Sequence, residues 1–389
     1  MTALVIPTNV KSRFRGCILG AIVGDCMAAR FGRSVEPFAA VSSRLEPASL
    51  RSQVPRSSGR FLFPYGVDTL MLLVAGRVIS DVFESSAAIP DGKYVGIESA
   101  LLSELRETLC RESERASSIK WGVGTRHVLE NATSVADAQL RSNCGITRAL
   151  VAGLIDPEGG LADGLCGATH SHESAMAGAK AIARAVRIGI EQSRAIEGSD
   201  MGSCMYKKTV SRAADLAVFR PYEEEDEFST DLQDRFKGRF GSDASSQCSV
   251  AASVFAVHRT AHSLPCLDAS SSEYQARIND MTHASVSRQK KGLSMNSLGN
   301  SNRLDSSLLF SSLAPSVEQD LPVALAVSWA ISLGGDVRSN ACLAGGLAGS
   351  IYGAEGIPQE WLMFSEGVEE GGKLAETLYE IYSKKKTNS

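Results

Sequence analysis

The residues best suited to chemistry in this chain follow the end of an apolar run. The run 331–333 stops at Gly334-Gly335, and Asp336 comes directly after the glycines, with Arg338 and Ser339 close behind. Paired glycines allow a buried helix to end in a tight turn. The pattern therefore predicts a carboxylate presented at a cleft, with a guanidinium two positions away.

A second acid and a second hydroxyl stand at the start of another apolar stretch. Asp68-Thr69 precede the helical pattern Leu70 to Phe83. An acid and a hydroxyl in this place fit a plain N-cap as well as a functional site. This segment alone does not distinguish the two interpretations.

Composition limits the classes of function. The chain has 389 residues, 43% of them hydrophobic, a net charge of -4 and nine scattered cysteines without a CxxC pair. This charge gives no strong attraction to nucleic acid, and the cysteines are typical of reduced thiols in an intracellular protein, which argues against a zinc cluster. No apolar run is long enough to span a bilayer. We expect a cytoplasmic monomer; Lys11, Arg13 and Arg15 leave organelle targeting as an alternative.

Helical spacing dominates the elements that must position these residues. One predicted helix covers 11–30 and carries Gly16, Gly20 and Gly24 on a single stripe, where small side chains let another helix approach closely. Strand patterns are weak. Further helices are predicted at 70–83, 95–114, 121–131, 145–155, 172–192, 250–261, 322–332, 341–352 and 358–383.

The remaining segments are predicted to be irregular. Residues 41–60 are rich in Ser, Arg and Pro and indicate a loop, and residues 284–316 have the composition of a disordered Ser-rich insertion. The sequence therefore predicts one all-α domain over 11–383, with flexible termini at 1–10 and 384–389.

Four segments carry a family resemblance. The stretches Phe14 to Cys26, Ile331 to Asp336, Ala344 to Gly353 and Ile357 to Trp361 are similar, in order and spacing, to the ADP-ribosylglycohydrolases. The resemblance implies an orthogonal bundle of helices. It also implies two Mg²⁺ ions in a central cleft that hydrolyse the bond between ADP-ribose and a protein side chain, or a related ADP-ribose linkage. Jellyfish lens crystallins share this fold, so a member without enzymatic activity is also consistent with it.

The expected metal ligands are only partly present. The family's Thr-Asp-Asp-Thr turn falls on residues 66–69, where Asp68 and Thr69 remain but the first hydroxyl and carboxylate are lost. Its Gly-Gly-Asp-x-Asp-Thr turn keeps Asp336, has Ser339 for the last threonine, and has Arg338 in place of the second acid. By resemblance, the degenerate metal set is Asp68, Asp336 and Ser339, with Thr69 as a further candidate.

Charge argues against two ions in such a cleft. A guanidinium stays protonated near neutral pH. At about 4 Å it would repel each unit of positive charge by roughly 4 kcal/mol at an effective dielectric constant of about 20, and Mg²⁺ carries two such units. We expect Arg338 to bridge Asp68 and Asp336 where relatives hold metal. The alternative is that Arg338 turns outward and one weakly held Mg²⁺ binds Asp68, Asp336 and Ser339.

Other positions match the ligand-binding parts of the family. Residues 142–148 replace a Gly-Asn-Gly-Gly loop that offers N–H groups to a diphosphate, so Asn143, Gly145 and Arg148 are candidate ADP-ribose contacts. A plain N-cap is the alternative for this loop. His170 matches a Thr-His turn and is predicted either to contact a phosphate or only to cap a helix.

A catalytic acid is harder to find. Relatives that act on modified serine carry a glutamate after the first helix, where this chain has Gly32, and Glu36 is a weak substitute four residues later. Two hypotheses follow: a degenerate family member with a binding, structural or crystallin-like role, or an active Mg²⁺-dependent hydrolase of ADP-ribose conjugates. ADP-ribose or an ADP-ribosylated protein is the expected partner if the pocket is intact.

Overall fold

The structure is a computed structural model, and it is described over most of the chain. The described residues are 9–52, 63–85, 97–114, 119–131, 140–156, 160–191, 244–263 and 321–388. The predicted Ser-rich insertion at 284–316 lies outside these residues.

The described ranges contain fourteen α-helices, two short 3₁₀ turns and no strand, which confirms the predicted all-α class. The helices are α1 (Val10–Ala28), α2 (Phe38–Arg44), α3 (Pro47–Ser52), α4 (Val67–Ser85), α5 (Ile97–Glu114), α6 (Val123–Asn131), α7 (Ala149–Ile155), α8 (Gly160–Gly167), α9 (Glu173–Glu191), α10 (Ser246–Ser263), α11 (Pro322–Ser332), α12 (Val337–Tyr352), α13 (Gln359–Phe364) and α14 (Val368–Asn388). The 3₁₀ turns are Asn143–Gly145 and Ala354–Gly356.

The centre of the bundle is the pair α1 and α12. Both helices are buried on almost every face, and α9, α10, α11 and α14 pack around them. A helix that is apolar on all sides is stable only inside a core. The pair therefore fixes the frame in which the side chains at its ends are held.

A glycine seam joins these two helices. It consists of Gly16, Gly20 and Gly24 on α1, which face Gly349, Gly345 and Ala341 on α12. A Cβ built on Gly345 would lie 2.1 Å from the Gly20 carbonyl oxygen, and one built on Gly20 would lie 2.2 Å from the Gly345 oxygen. The two backbones touch, so the predicted role of the small-residue stripe is confirmed.

Several predicted boundaries need correction. The segment 41–60, predicted as a loop, contains the end of α2 and all of α3. The α8 helix was not predicted, because its eight residues include three glycines that lower helix propensity. At the termini, α1 begins at Val10 and α14 continues to Asn388, so residue 10 and residues 384–388 lie in helices.

None of the helices in the described ranges combines the length and the apolar character needed to cross a bilayer.

Candidate functional site

At one end of the α1–α12 pair lies a cluster of polar side chains, which we call the cleft after the sequence prediction, and its most buried carboxylate is one that sequence analysis missed. Asp25, near the C-terminus of α1, has a fully buried side chain. Its Oδ2 accepts hydrogen bonds from the backbone N–H groups of Gly66, at 2.6 Å, and Thr69, at 3.2 Å. Asp25 thus caps the first turn of α4 from another helix. The available signal was an acid within the apolar stretch that forms the second half of α1.

Arg338 completes this arrangement, but not in the predicted way. Its Nε donates to Asp25 Oδ1 at 2.6 Å, and its Nη2 donates to the Pro64 carbonyl oxygen at 3.0 Å. The predicted bridge from Arg338 to Asp68 and Asp336 is therefore wrong. The physical reason is that α12 places Arg338 directly opposite α1, where the second oxygen of Asp25 is available. Burial is the largest single effect and lowers the pKa of Arg338, but the neighbouring groups, Asp25 foremost, together outweigh it and raise the pKa above its usual value.

The space for the guanidinium comes from a glycine. A Cβ built on Gly66 would lie 2.8 Å from Arg338 Cζ and 3.0 Å from its Nε. A side chain at position 66 would therefore require the flexible end of Arg338 to move. Gly66 and Arg338 are therefore complementary, and both stand where the family resemblance expects metal ligands.

Asp68 and Ser339 do meet. The Ser339 hydroxyl donates to Asp68 Oδ2 at 2.8 Å, while Asp68 Oδ1 and Thr69 Oγ1 are buried and have no hydrogen-bond partner among the described residues. Burial, followed by the charges of Asp25 and Asp336, raises the pKa of the Asp68 carboxyl well above its usual range. These surroundings therefore disfavour the ionised form of Asp68.

Asp336 forms a separate contact. The Asn143 amide donates to Asp336 Oδ2 at 3.0 Å and to the Ser249 hydroxyl at 2.8 Å. Asp336 precedes α12 but makes no side-chain capping bond to it. Asn143 therefore connects the 3₁₀ turn, α10 and the start of α12, and it brings one predicted ligand-binding residue to one predicted metal ligand.

Arg148 and His170 lie deeper in the protein, in a buried chain of hydrogen bonds. Arg148 Nη2 donates to Thr169 Oγ1 at 2.7 Å, and the same Thr169 oxygen lies 2.7 Å from His170 Nδ1. His170 Nε2 lies 2.7 Å from the Ser142 hydroxyl. Arg148 and His170 are both fully buried. Both side chains would have to become exposed before they could contact a ligand directly, so their role in binding stays a prediction.

The charge state of His170 follows from its surroundings. Burial, with a smaller effect of the Arg148 cation, lowers the pKa of His170 to about 3. The imidazole is therefore neutral near pH 7. Gly145 lies against this ring, since a Cβ built there would be 2.8 Å from His170 Cγ.

Glu36 lies beside the cleft but is already engaged. Its carboxylate is 2.6 Å from Arg44 Nη1, and its backbone N–H donates to the Ser332 carbonyl at 3.1 Å. The Gly335 N–H donates to the Arg33 carbonyl at 2.8 Å, which holds the loop before α2 against the double-glycine turn. A catalytic role for Glu36 stays a prediction.

Comparison with known proteins identifies the family. The profile of the ADP-ribosylglycohydrolase family matches residues 6–388. The chain belongs to this family. A solved structure described as an ADP-ribosylglycohydrolase-related protein complex superposes with a TM-score of 0.52 over 96% of this chain and 99% of its own, at 16% identity, and thus shares the fold.

Curated relatives match over a short segment. ADP-ribosylhydrolase ARH3 is 43% identical over 56 residues in Danio rerio and in Bos taurus, and 41% identical over 56 residues in Homo sapiens. The matched segment covers 14% of this chain and 15% of each of these relatives.

The residues of this cleft differ at three positions from the two-magnesium centre that the resemblance implies. Mg²⁺ requires close to six oxygen ligands in octahedral geometry, but Gly66 and Val67 supply no side-chain oxygen and Arg338 supplies a fixed positive charge. Over the part of the chain that the structure describes, no three His, Cys, Asp or Glu side chains converge as a metal-binding group. The orphaned oxygens of Asp68 and Thr69 are the remaining hard ligands.

Proposed function

We propose that this chain is a family member in which an internal ion pair replaces the two-metal cleavage centre, so that it acts by binding or as a structural protein and not by hydrolysis. One observation carries the proposal: Arg338 Nε lies 2.6 Å from Asp25 Oδ1, with the guanidinium packed on Gly66. The metal-ligating and catalytic assignments of the sequence analysis remain hypotheses beside it.

The chemistry supports a loss of cleavage. Metal-assisted hydrolysis needs ions that polarise the substrate and activate water. Arg338 offers a positive charge, but a guanidinium carries no water ligand whose pKa it could lower. It can orient an anionic or hydroxyl-bearing ligand, which is a binding function.

The direct test measures both activities on the whole protein. Release of ADP-ribose from an ADP-ribosylated protein should stay at the buffer rate with or without Mg²⁺. Calorimetry should show no Mg²⁺ binding at millimolar concentration. If wild-type protein releases ADP-ribose in a Mg²⁺-dependent manner, the proposal is wrong.

A restoration variant sharpens the test. The triple change Gly66→Thr, Val67→Asp, Arg338→Asp returns three family ligands and removes the guanidinium that a side chain at position 66 would strike. We expect it to gain Mg²⁺ binding. Arg338→Met is the matched control, since it removes the charge without adding ligands and should gain no Mg²⁺ binding.

A second candidate has one observation in its favour. Asp68 Oδ1 and Thr69 Oγ1 are buried without described partners, which suits a hydrolase that uses a single cation. In that case Asp68→Asn should abolish Mg²⁺ binding that wild-type protein shows in calorimetry. Absence of Mg²⁺ binding to the wild type would exclude this candidate.

A further inference from the structure

A cavity where α4, α5 and α14 meet is lined by none of the side chains assigned to the cleft. Its volume is about 240 Å³. Pockets for drug-sized ligands hold about 300–1,000 Å³ and combine apolar walls with a few polar groups. This cavity therefore has room for a small molecule or for a single residue of a peptide.

One part of the lining is apolar. Leu70 and Leu73, on α4, are buried, and Tyr65, just before α4, is half-buried. The Tyr65 ring lies close to the turn before α14, since a Cβ built on Gly367 would be 3.1 Å from Tyr65 Cδ1. This part of the lining suits an aliphatic or aromatic body.

The other part of the lining contains a guanidinium with weak partners. Arg77 Nη1 lies 3.5 Å from Glu370 Oε1, and Nη2 lies 3.9 Å from Glu104 Oε1. Both distances exceed the roughly 2.7–3.2 Å of a hydrogen bond. Within the described ranges the Arg77 side chain is thus held by charge attraction alone, and its N–H groups are available to an acceptor that enters the cavity.

A buried hydroxyl lines the same cavity. Thr108 is 4% exposed, and its Oγ1 accepts a hydrogen bond from Arg111 Nη2 at 3.1 Å. The same Arg111 nitrogen donates to Glu104 Oε1 at 2.8 Å, which fixes the guanidinium beside the hydroxyl. No residue in the described part of the chain accepts the Thr108 proton. Because a buried donor without an acceptor costs free energy, this hydroxyl favours an acceptor in the cavity.

We propose that this cavity binds a carboxylate carried on an apolar or aromatic body. Arg77 and the Thr108 hydroxyl donate to the carboxylate, while Tyr65, Leu70 and Leu73 contact the body. An arginine fork matches the two oxygens of a carboxylate, and such charge-assisted hydrogen bonds are stronger than neutral ones. The site is a second binding site beside the cleft, and it uses no metal ion.

The acids near the cavity favour a carboxylate over a phosphate. Glu370 is the one acid among the described lining residues, and its side chain is 47% exposed, so it can turn into water when a ligand takes its place beside Arg77. A phosphate monoester carries about −1.5 to −2 charges and would be repelled more strongly by Glu370 and Glu104. A free organic acid and the C-terminal residue of a peptide offer the same carboxylate chemistry.

The first test measures binding to the whole protein by calorimetry in EDTA. The probes are 3-phenylpropionate and acetyl-glycyl-phenylalanine, each compared with its carboxamide, and phenyl phosphate. We expect both carboxylates to bind at least tenfold more tightly than their amides. Tighter binding of 3-phenylpropionate would assign the site to a free acid, and tighter binding of the peptide would assign it to a chain terminus. Equal binding of acid and amide, tighter binding of phenyl phosphate, or no binding of either carboxylate would overturn the proposal.

Three variants assign the binding to this cavity. Loss of hydrogen bonds to a charged group in Arg77→Met should weaken carboxylate binding about tenfold to hundredfold, and Thr108→Val, which keeps the shape, should weaken it about twofold to tenfold. Glu370→Gln removes the competing carboxylate and should tighten binding about twofold to fivefold. Urea denaturation of each variant confirms that a folded protein is measured. Wild-type affinity in Arg77→Met, or weaker binding in Glu370→Gln, would contradict the proposed exchange.

The matched control is Arg15→Met. The Arg15 side chain is 51% exposed and also has a long ion pair, with Nη1 3.8 Å from Glu376 Oε1, but it does not line the cavity. This variant should bind both carboxylates like the wild type, and an equal loss in Arg15→Met and Arg77→Met would reduce the binding to a general charge effect. The outcome is independent of the proposed function, because release of ADP-ribose by the wild type would contradict that function and leave the carboxylate result standing.

Discussion

The α1–α12 contact is held by different kinds of interaction along the glycine seam and at the cleft. Along the glycine seam, backbone lies against backbone, and a single added carbon would sit 2.1 Å from a carbonyl oxygen at Gly345. At the cleft, the same helices are joined by side chains, Asp25 and Arg338. Steric exclusion permits almost no change in the seam, whereas polar partners at the cleft can be exchanged if charge and space still match. The family frame is therefore compatible with an altered site.

The largest expected effect breaks the seam. Gly345→Ala places a Cβ against the Gly20 carbonyl, and because that atom belongs to the backbone, no side-chain rotation relieves the clash. We expect the free energy of unfolding, measured by urea denaturation, to fall by about 3 kcal/mol or more.

Gly372→Ala is the control for that change. It lies within α14, where an added Cβ would meet no atom within 4 Å, so it should raise the free energy of unfolding by about 0.5–1 kcal/mol. A Gly345→Ala protein as stable as the wild type would mean that the two helices separate freely and that the seam does not fix the frame.

An intermediate effect concerns the buried His170. Because His170 has a pKa of about 3 when folded and about 6.5 when unfolded, the unfolded chain binds more protons below pH 6.5. Above pH 6.5 the contribution of His170 to the free energy of unfolding has its full value. This contribution falls by about 2 kcal/mol between there and pH 5, and it continues to fall toward pH 3. Urea denaturation at several pH values measures this slope.

Two variants assign that slope. His170→Gln should flatten it over this window, while His172→Gln, at a partly exposed position, should leave it as in the wild type. An unchanged slope in His170→Gln would show that His170 is solvated rather than enclosed.

The smallest expected effect removes the ion pair of the cleft. Arg338→Met leaves the Asp25 carboxylate with two backbone donors but no counter-charge. Because the Arg338 side chain is 32% exposed, the loss in free energy of unfolding is expected at about 1–2 kcal/mol rather than the larger value of a fully buried pair.

Arg77→Met provides the comparison at the surface. The Arg77 side chain is 44% exposed, and its pairs with Glu370 and Glu104 are long, at 3.5 and 3.9 Å. It should change the free energy of unfolding by no more than about 0.5 kcal/mol. Equal effects of the two substitutions in thermal or urea denaturation would argue that the Arg338 pair is only a surface contact.

The central helices could be predicted from the sequence, because helix formation and close helix packing follow from local patterns of residues. Apolar spacing predicted helices at 11–30 and 322–332, close to Val10–Ala28 and matching Pro322–Ser332. The stripe of small residues predicted close helix contact, although not its partner. The glycines of α12 are spaced in the same way, and a search for two complementary stripes would have paired the helices.

The contacts of the cleft could be predicted only in part, because they join residues far apart in the chain. Sequence analysis brought Asp68, Ser339 and Asp336 to one place, and the structure places Asp68 against Ser339. It assigned Arg338 to the wrong acids because the ion pair with Asp25 spans 313 positions and depends on an unoccupied volume at Gly66. The sequence shows that position 66 is glycine, but not that the space beside this glycine holds the guanidinium of Arg338.

The contact between Gly66 and Arg338 also links the residues that these two positions can hold. A Cβ at position 66 would lie 2.8 Å from Arg338 Cζ, so a side chain there requires the flexible end of Arg338 to move from its present position. A variant that introduces threonine at position 66 alone is therefore expected to shift the guanidinium relative to Asp25. Positions 66 and 338 are best exchanged together in protein engineering, since each sets the space that the other can occupy.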